Sequence, residues 1–398
     1  MSGAFDWRLL GFLLFVMSVQ VSGFVYLHRR LRAAAATLAP RAAPALKWVV
    51  GALFLLQMLS FSLTRSGLSG PVAGVLFWSA YVLFGVVALV FVGTLLIDAA
   101  SGLATLAERA GLTGAPDPGR RALLRSWAQL GVVGVSGALT AGGYRAATRV
   151  PAVTEVEVPI TGLPPALHGF RIAQISDVHI GPTIKGPWLQ KVVDVINGLD
   201  VDLVAVTGDL VDGDADALAD DVAPLGTLRA RHGAFFCTGN HEYYSGVDAW
   251  VAAVAGLGLR PLLNAHQLLD HDGARVLVAG VTDRSAHRVR PDHASDPAQA
   301  IAGRDADGDL RLLLAHQPRS AYPAAALDFF HLQLSGHTHG GQFAPFSFFI
   351  GLFQPFAVGL HRLGSMWIYT NRGTGYWGPP NRLGSPSEIT LLRLIPGD

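Results

Sequence analysis

Five apolar runs in the C-terminal half of the chain, IAQISDVH, VDLVAVTGD, AFFCTGNH, LRLLLAH and LQLSGHTH, each end in Asp, Asn or His. A short apolar run reads as a strand buried in a sheet, and polar side chains that follow such strands gather where the sheet opens to solvent. The series therefore restricts this half to strands that converge on one crevice. Helical stretches between the runs, such as 188–196 and 247–255, argue an α/β class. Ahead of the first run, a strand over 154–160 carries the alternation TEVEV, which suggests a sheet edge.

Asp177 and His179 stand two apart, as do His337 and His339. On extended backbone, residues two apart face the same way, so each pair is expected to grip one cluster. Carboxylate, imidazole and amide donors without thiolate suit Mn, Fe, Zn or Ni, and a shared carboxylate can hold two such ions roughly 3.5–4 Å apart. Ions so placed polarise a phosphoryl group and supply hydroxide.

The order D-x-H, G-D, G-N-H-E, H, G-H-x-H, over roughly residues 153–395, resembles the calcineurin-like metallophosphoesterase superfamily. The resemblance implies two divalent metal ions, one held by Asp177, His179 and His339 and the other by Asn240, His316 and His337, with Asp209 bridging them. It implies that His241 faces the substrate and protonates the leaving oxygen or stabilises the transition state, and that Glu242 orients His241. Glu242 stands where many members have Asp. The implied fold is two stacked mixed β-sheets flanked by helices, a four-layer sandwich. The implied reaction is hydrolysis of a phosphoester or phosphoanhydride by attack of a metal-bridging hydroxide, with Asp209, Asn240 and His241 as the catalytic group. Within the superfamily, GHTHGGQ and the tail GLHRLGSMWIYTNRGTGYWGPPNRLGSPSEITLLRL resemble the bacterial membrane-associated subgroup, whose members commonly carry a twin-arginine signal or transmembrane helices.

Two acidic clusters, Asp212-Asp214-Asp216 and Asp305-Asp307-Asp309, imitate the start of a calcium loop. Neither has Gly at the sixth position or Glu at the twelfth, so both are expected to be solvated turns. Cys237, the only cysteine, lies in AFFCTG and is expected to be a buried core thiol.

Hydrophobic residues make up 51% of the 398-residue chain and charged ones 15%, and the apolar excess is concentrated before residue 150. That distribution predicts a membrane-embedded helical domain over 1–150 and a catalytic domain over 151–398. Spans are expected at 9–26, 49–63 and 72–97, with a fourth, Gly-rich one at 127–143, while 99–126 reads as a loop and 144–152 as a linker. Arg29, Arg30, Arg32, Arg41 and Lys47 precede the second span, and Arg109, Arg120, Arg121 and Arg125 precede the fourth. Excess basic charge marks cytoplasmic loops, so four spans place the catalytic domain on the outer side of a cell membrane, periplasmic or extracellular. The segment 120–143, RRALLR followed by LGVVGVSGALTA, resembles a twin-arginine export signal inside the chain; an ordinary positive flank is the alternative.

A net charge of +1 and the lack of a basic tract interleaved with aromatics give no reason to expect nucleic acid. The expected partners are membrane lipids and a phosphorylated small-molecule or lipid substrate, with an envelope or lipid-linked phosphate favoured by tethering. Hydrolysis of the pyrophosphate of UDP-2,3-diacylglucosamine in lipid A synthesis is an alternative that requires a cytoplasmic site. A non-catalytic metal-binding sensor or scaffold is an alternative of another class, opposed by the intact ligand set and His241. The spans are too apolar for a transporter. The run FAPFSFFIGLF at 343–353, close after His339, reads either as core packing under a loop or as an apolar lip that meets lipid.

Overall fold

Helices α1 (Trp7–Leu38), α2 (Leu46–Leu63), α3 (Pro71–Arg109) and α4 (Pro118–Thr148) begin the computed structural model, which describes residues 7–63, 71–114, 117–303 and 308–397. The chain divides into two units, 1–142 and 143–398. In the first, each expected span falls within a helix. Among the described residues, one helix, Gly74–Arg109, is long and apolar enough to cross a bilayer, whereas the apolar stretch Ala43–Leu59 is shorter. The loop expected over 99–126 is largely helical. Ala, Leu and Glu in SGLATLAER sustain a helix without burial, so α3 runs on past its apolar part. Helix α4 then starts early because Asp117 accepts the backbone N–H of Arg120 at 2.8 Å, an N-cap with Pro118 in the first turn. At one end of this unit Asp98 of α3 accepts from Tyr26 Oη at 2.7 Å and pairs with Arg30 of α1 at 2.7 Å and with Arg125 of α4.

The second unit contains β1 (Ala152–Thr161), β2 (Arg171–Ile175), α5 (Gly186–Asn197), β3 (Leu203–Thr207), α6 (Ala215–Val222), β4 (Ala234–Cys237), α7 (Asn240–Tyr244), α8 (Val247–Gly256) and β5 (Arg260–Pro261). It continues with β6 (Ala265–His271), β7 (Ala274–Gly280), α9 (Pro297–Ala300), β8 (Leu310–Leu314), α10 (Ala321–Ala325), β9 (Leu332–Ser335), α11 (Phe346–Phe353), β10 (Gly359–Leu363), β11 (Met366–Thr370) and β12 (Glu388–Gly397). The expected linker 144–152 is corrected as well: α4 continues to Thr148, because YRAAT favours helix, and three residues separate it from β1.

The strands form two six-stranded sheets, ordered β1-β12-β2-β3-β4-β5 and β10-β11-β9-β8-β7-β6. Both are mixed: β2 to β5 are parallel and β12 is antiparallel to β2, while β7, β8, β9 and β11 are parallel and bounded by antiparallel β6 and β10. Strand alternation sorts the side chains into layers. Ile172, Leu203, Ala205 and Phe235 of the first sheet join Val276, Val278, Leu312 and Leu334 of the second in the core between the sheets. Their neighbours Ala173, Val204 and Phe236 turn outward onto Leu189, Val192, Ile196, Trp250 and Val254 of α5 and α8. On the far side Leu277, Leu313 and Ile368 pack with Ala300, Ala321 and Ala324. The result is helix, sheet, sheet, helix, and buried runs with no polar alternation are what strands covered on both faces require. β1 lies at a sheet edge, as TEVEV suggests, and Cys237 is buried in the central core. Strands β2, β3, β4, β8 and β9 all end where the two sheets open onto the same loops, and those loops carry the residues singled out in the sequence.

Candidate metal centre

Strand β2 ends at Ile175, two residues before Asp177, so these side chains do not converge by strand alternation. Asp177, His179, Asp209, His337 and His339 take positive φ of 52°, 54°, 51°, 71° and 51°. The extended geometry expected for the two D-x-H and H-x-H pairs is therefore wrong. Left-handed backbone costs a residue with a Cβ roughly 1–2 kcal/mol, and its accumulation at five neighbouring positions is typical of a site whose surroundings enforce a conformation. Backbone pairing does the enforcing: the N–H groups of Asp177 and His179 donate to the carbonyls of Gly208 and Asp209 at 3.0 and 3.2 Å. Packing is close enough that a Cβ on Gly336 would lie 1.9 Å from Ser176 Oγ and 2.1 Å from Asp177 Oδ2.

Three clusters of ligand-type atoms result among the described residues, Asp177 with His179 and His339, Asp209 with His316 and His337, and His179 with Asp212 and His241, each with its donor atoms within 4.8 Å of one another. In the first, His179 Nε2 and His339 Nε2 are 3.1 Å apart and His339 Nε2 is 3.3 Å from Asp177 Oδ1. In the second, His316 Nε2 is 3.1 Å from Asp209 Oδ2 and 3.2 Å from His337 Nδ1. Asn240 lies at the start of α7 after β4, and its Oδ1 is buried with no hydrogen-bond partner among the described residues. An orphaned amide oxygen beside clustered imidazole and carboxylate ligand atoms suits a cation, so the donor set fits divalent metal.

The outer nitrogens are also held. His316 Nδ1 lies 2.8 Å from the Thr207 carbonyl, His179 Nδ1 is 3.1 Å from Asp212 Oδ1, and Arg382 Nη2 is 3.1 Å from His339 Nδ1. Such partners fix ring orientation and leave the opposite nitrogen facing the cluster. Burial and then the Arg382 guanidinium hold His339 well below the usual imidazole range, which keeps the ring neutral. Burial raises the Asp209 carboxyl, but His316 and His241 beside it outweigh this and hold it ionised.

His241 points toward the same cavity from α7. Its Nδ1 is 2.5 Å from Asp212 Oδ1, its Nε2 is 3.9 Å from Asp209 Oδ2, and its backbone N–H donates to Asp209 Oδ1 at 2.9 Å. Burial disfavours the imidazolium, yet the Asp209 and Asp212 carboxylates overcome that and raise its pKa to about 9. An imidazole with one nitrogen held by a carboxylate and the other turned toward Asp209 and the ligand clusters is suited to donating a proton or a hydrogen bond.

Two expectations change here. Asp212 is not part of a solvated turn: it touches both His179 and His241, and of its cluster Asp214 caps α6 while Asp216 is exposed. Its position three residues after Asp209, in the loop leaving β3, was the available signal. Asp305 and Asp307 of the other cluster lie outside the described residues. Glu242 does not touch His241. Its carboxylate accepts from the backbone N–H groups of Gly239, Leu210 and Asp209 at 2.6, 2.7 and 3.1 Å, so it clamps the two loops that carry Asp209 and Asn240. Asp212 is what orients His241. Arg382 had no signal beyond its place in NRLGSP.

Residues 170–341 match the family model for calcineurin-like phosphoesterase. The chain is 40% identical over 300 residues to a Bos taurus protein named transmembrane protein with metallophosphoesterase domain, covering 73% of this chain and 67% of that relative. The chain belongs to the calcineurin-like metallophosphoesterase family. It is a metal-dependent phosphoesterase. A Danio rerio protein of the same name as the bovine one is 37% identical over 267 residues, 65% of this chain and 61% of that protein. An uncharacterized metallophosphoesterase of Helicobacter pylori (strain J99) is 34% identical over 281 residues, 70% of this chain and 73% of that protein. The chain thus spans 61–67% of the length of the vertebrate relatives.

Proposed function

We propose that this metallophosphoesterase is anchored in a membrane by residues 1–150 and that its unit over 151–398 hydrolyses an envelope or lipid-linked phosphoester or phosphoanhydride with two divalent ions. Asp177, His179 and His339 would hold one ion and Asn240, His316 and His337 the other, with Asp209 shared between them. Mn, Fe, Zn and Ni all suit these nitrogen and oxygen donors. When bound, such ions polarise phosphoryl oxygens and make water a competent nucleophile near neutral pH. His241 Nε2 gives its proton to the leaving oxygen, and Asp212 holds the opposite nitrogen so that the proton-bearing atom stays aimed at substrate. The observation that carries this reading is the juxtaposition of the two proposed ligand clusters with a carboxylate-held His241. Multi-pass anchoring is supported by the helical state of all four expected spans, by the apolar helix Gly74–Arg109 and by the vertebrate relatives' name. Outer-side orientation is supported by the meeting of Arg30 and Arg125 at Asp98, which puts both basic loops at one end of the helices.

The test is metal content and turnover of the full chain in detergent, assayed with phosphate monoesters, diesters and lipid pyrophosphates. Asp209→Asn should lose metal and activity together, whereas His241→Ala should keep both ions and lose turnover by roughly 10²–10⁴-fold. Full occupancy and normal turnover in Asp209→Asn would overturn the assignment. Orientation is tested in a Cys237→Ser background, where Asp216→Cys should react with an impermeant thiol reagent on intact cells and Leu112→Cys should not. The reverse pattern places the site in the cytoplasm, where UDP-2,3-diacylglucosamine becomes the substrate to assay.

A further inference from the structure

Helix α11 follows the metal-site turn at once and turns its aromatic side chains outward. The turn His339–Gly341 packs directly against it: a Cβ on Gly341 would lie 2.6 Å from the Cα of Ser347. Phe343 is buried beneath the helix and its ring meets Phe346 edge-on at 5.3 Å, so the segment is anchored. Beyond that anchor, Phe346, Phe348, Phe349, Leu352 and Phe353 are all exposed, with Phe348 at 76%, Leu352 at 78% and Phe353 at 69%. The apolar surface continues to the catalytic side. Gln342 donates to the Trp377 carbonyl at 2.7 Å and accepts the Trp377 N–H at 2.8 Å, and Trp377, 56% exposed, places its ring 5.8 Å from that of His241. The alternatives left open by the sequence are thus divided: Phe343 is core and the rest of the run is surface.

A soluble protein does not leave five large apolar side chains on one eight-residue helix facing water without a partner. Charge indicates which partner. Residues 329–387, which contain α11, His337, His339 and Trp377, include no Asp or Glu; of their arginines Arg382 is buried in the metal site, Arg362 is exposed, and Arg372 lies beside the turn under α11, its Cγ 3.5 Å from where a Cβ on Gly340 would stand. At the end of α11, Arg319 Nη2 donates to the Phe353 carbonyl at 2.7 Å and so keeps a further cation beside the aromatic surface. Apolar rings bordered by cations and free of carboxylates suit the interface of an anionic phospholipid bilayer, where rings enter the acyl boundary and cations meet phosphates. We infer that α11 docks into the surface of an anionic bilayer and that Trp377 carries this contact to the rim of the metal site, so that the enzyme takes a membrane-resident phosphate whose acyl chains stay in the lipid. This rests on the membrane-anchored reading above and adds the surface through which substrate enters.

Docking is read without activity, so its failure and the failure of the catalytic reading are distinguishable. Phe348→Cys in the Cys237→Ser full chain, labelled with an environment-sensitive fluorophore, is placed in phosphatidylcholine vesicles with and without phosphatidylglycerol. A spin label carried on the lipid acyl chains should quench the fluorophore, more strongly with phosphatidylglycerol, and aqueous iodide should quench it poorly. In parallel, Phe348→Ser/Phe349→Ser should leave hydrolysis of a soluble chromogenic phosphoester within about twofold, since neither ring contacts the ligand clusters, and lower hydrolysis of a phospholipid in vesicles several-fold. Quenching by iodide alone would overturn the inference. So would energy transfer between labelled copies without lipid quenching, which would mean that the helix pairs with a second chain. Equal loss on both substrates with a lowered Tm would show that the rings stabilise the fold instead.

Discussion

Removing the Glu242 carboxylate separates a structural clamp from a catalytic orienter. Three backbone N–H groups, those of Gly239, Leu210 and Asp209, donate to it, and the side chain is fully buried. Burial and the neighbouring Asp209 carboxylate push its pKa up to about 7, and the Gly239 and Leu210 N–H groups pull the other way. Glu242→Ala leaves three donors without an acceptor. A water entering the vacated volume satisfies one or two of them. One or two orphaned donors then remain at about 1–3 kcal/mol each, or about 1–6 kcal/mol in total. For a unit of this size that corresponds to a fall in Tm of roughly 2–24 °C. Glu242→Gln, with one acceptor oxygen and an amide N–H₂ turned toward donors, should fall toward the lower end of that range. Because the clamped loops carry Asp209 and Asn240, metal affinity should fall in both variants. The assay is thermal unfolding of the full chain in detergent at fixed free Mn, together with metal content. An unchanged Tm and metal content in Glu242→Gln, with turnover alone lost, would refute the clamp and restore Glu242 as a partner of His241.

Three further outcomes follow from the geometry. Asp212→Asn removes the charge that faces both His179 and His241; the His241 proton is then lost at lower pH, so the alkaline limb of the rate profile should move down and turnover should fall about 10–100-fold. An unmoved limb would mean that Asp212 does not set the protonation of His241. Gly336→Ala forces a methyl group onto Ser176 Oγ and Asp177 Oδ2, and competition titration should show metal affinity lowered by about 10–100-fold, whereas wild-type affinity would contradict the packing. Burial and then the Arg311 guanidinium lower His331 to about 4, against an ordinary value near 6.5, so the unfolded chain takes up the proton first. That contribution is complete above about pH 6.5 and shrinks as pH falls toward about 4. Discounted for partial exposure it amounts to about 1–2 kcal/mol, so His331→Gln should lose less Tm than the parent between about pH 7 and pH 5, and identical slopes would exclude it.

What the sequence by itself determined is the class of the fold and the order of the site residues. Buried strands covered on both faces must be predominantly apolar, so IAQI, LVAVT, AFFC, LRLLL and LQLS declare themselves, and residues that follow strand ends must meet at the sheet opening. The edge position of β1 and helices α5 and α8 were legible for the same reason of period. Helix ends were not. The turns of α3 and α4 beyond the apolar windows depend on propensity and on the Asp117 cap, which hydropathy does not register. Within the site, only tertiary structure decided the partners. Positive φ at five of the proposed ligands is imposed by pairing between loops distant in sequence, and a positive φ is not a property that Asp or His announces. Asp212 resembled a solvated acid, and Arg382 resembled any surface arginine, until the fold set one against His179 and His241 and the other against His339. Glu242, adjacent to His241 in the chain, points away from it, because in a short helix neighbouring side chains leave about 100° apart and only the packing of the loops determines what each one meets.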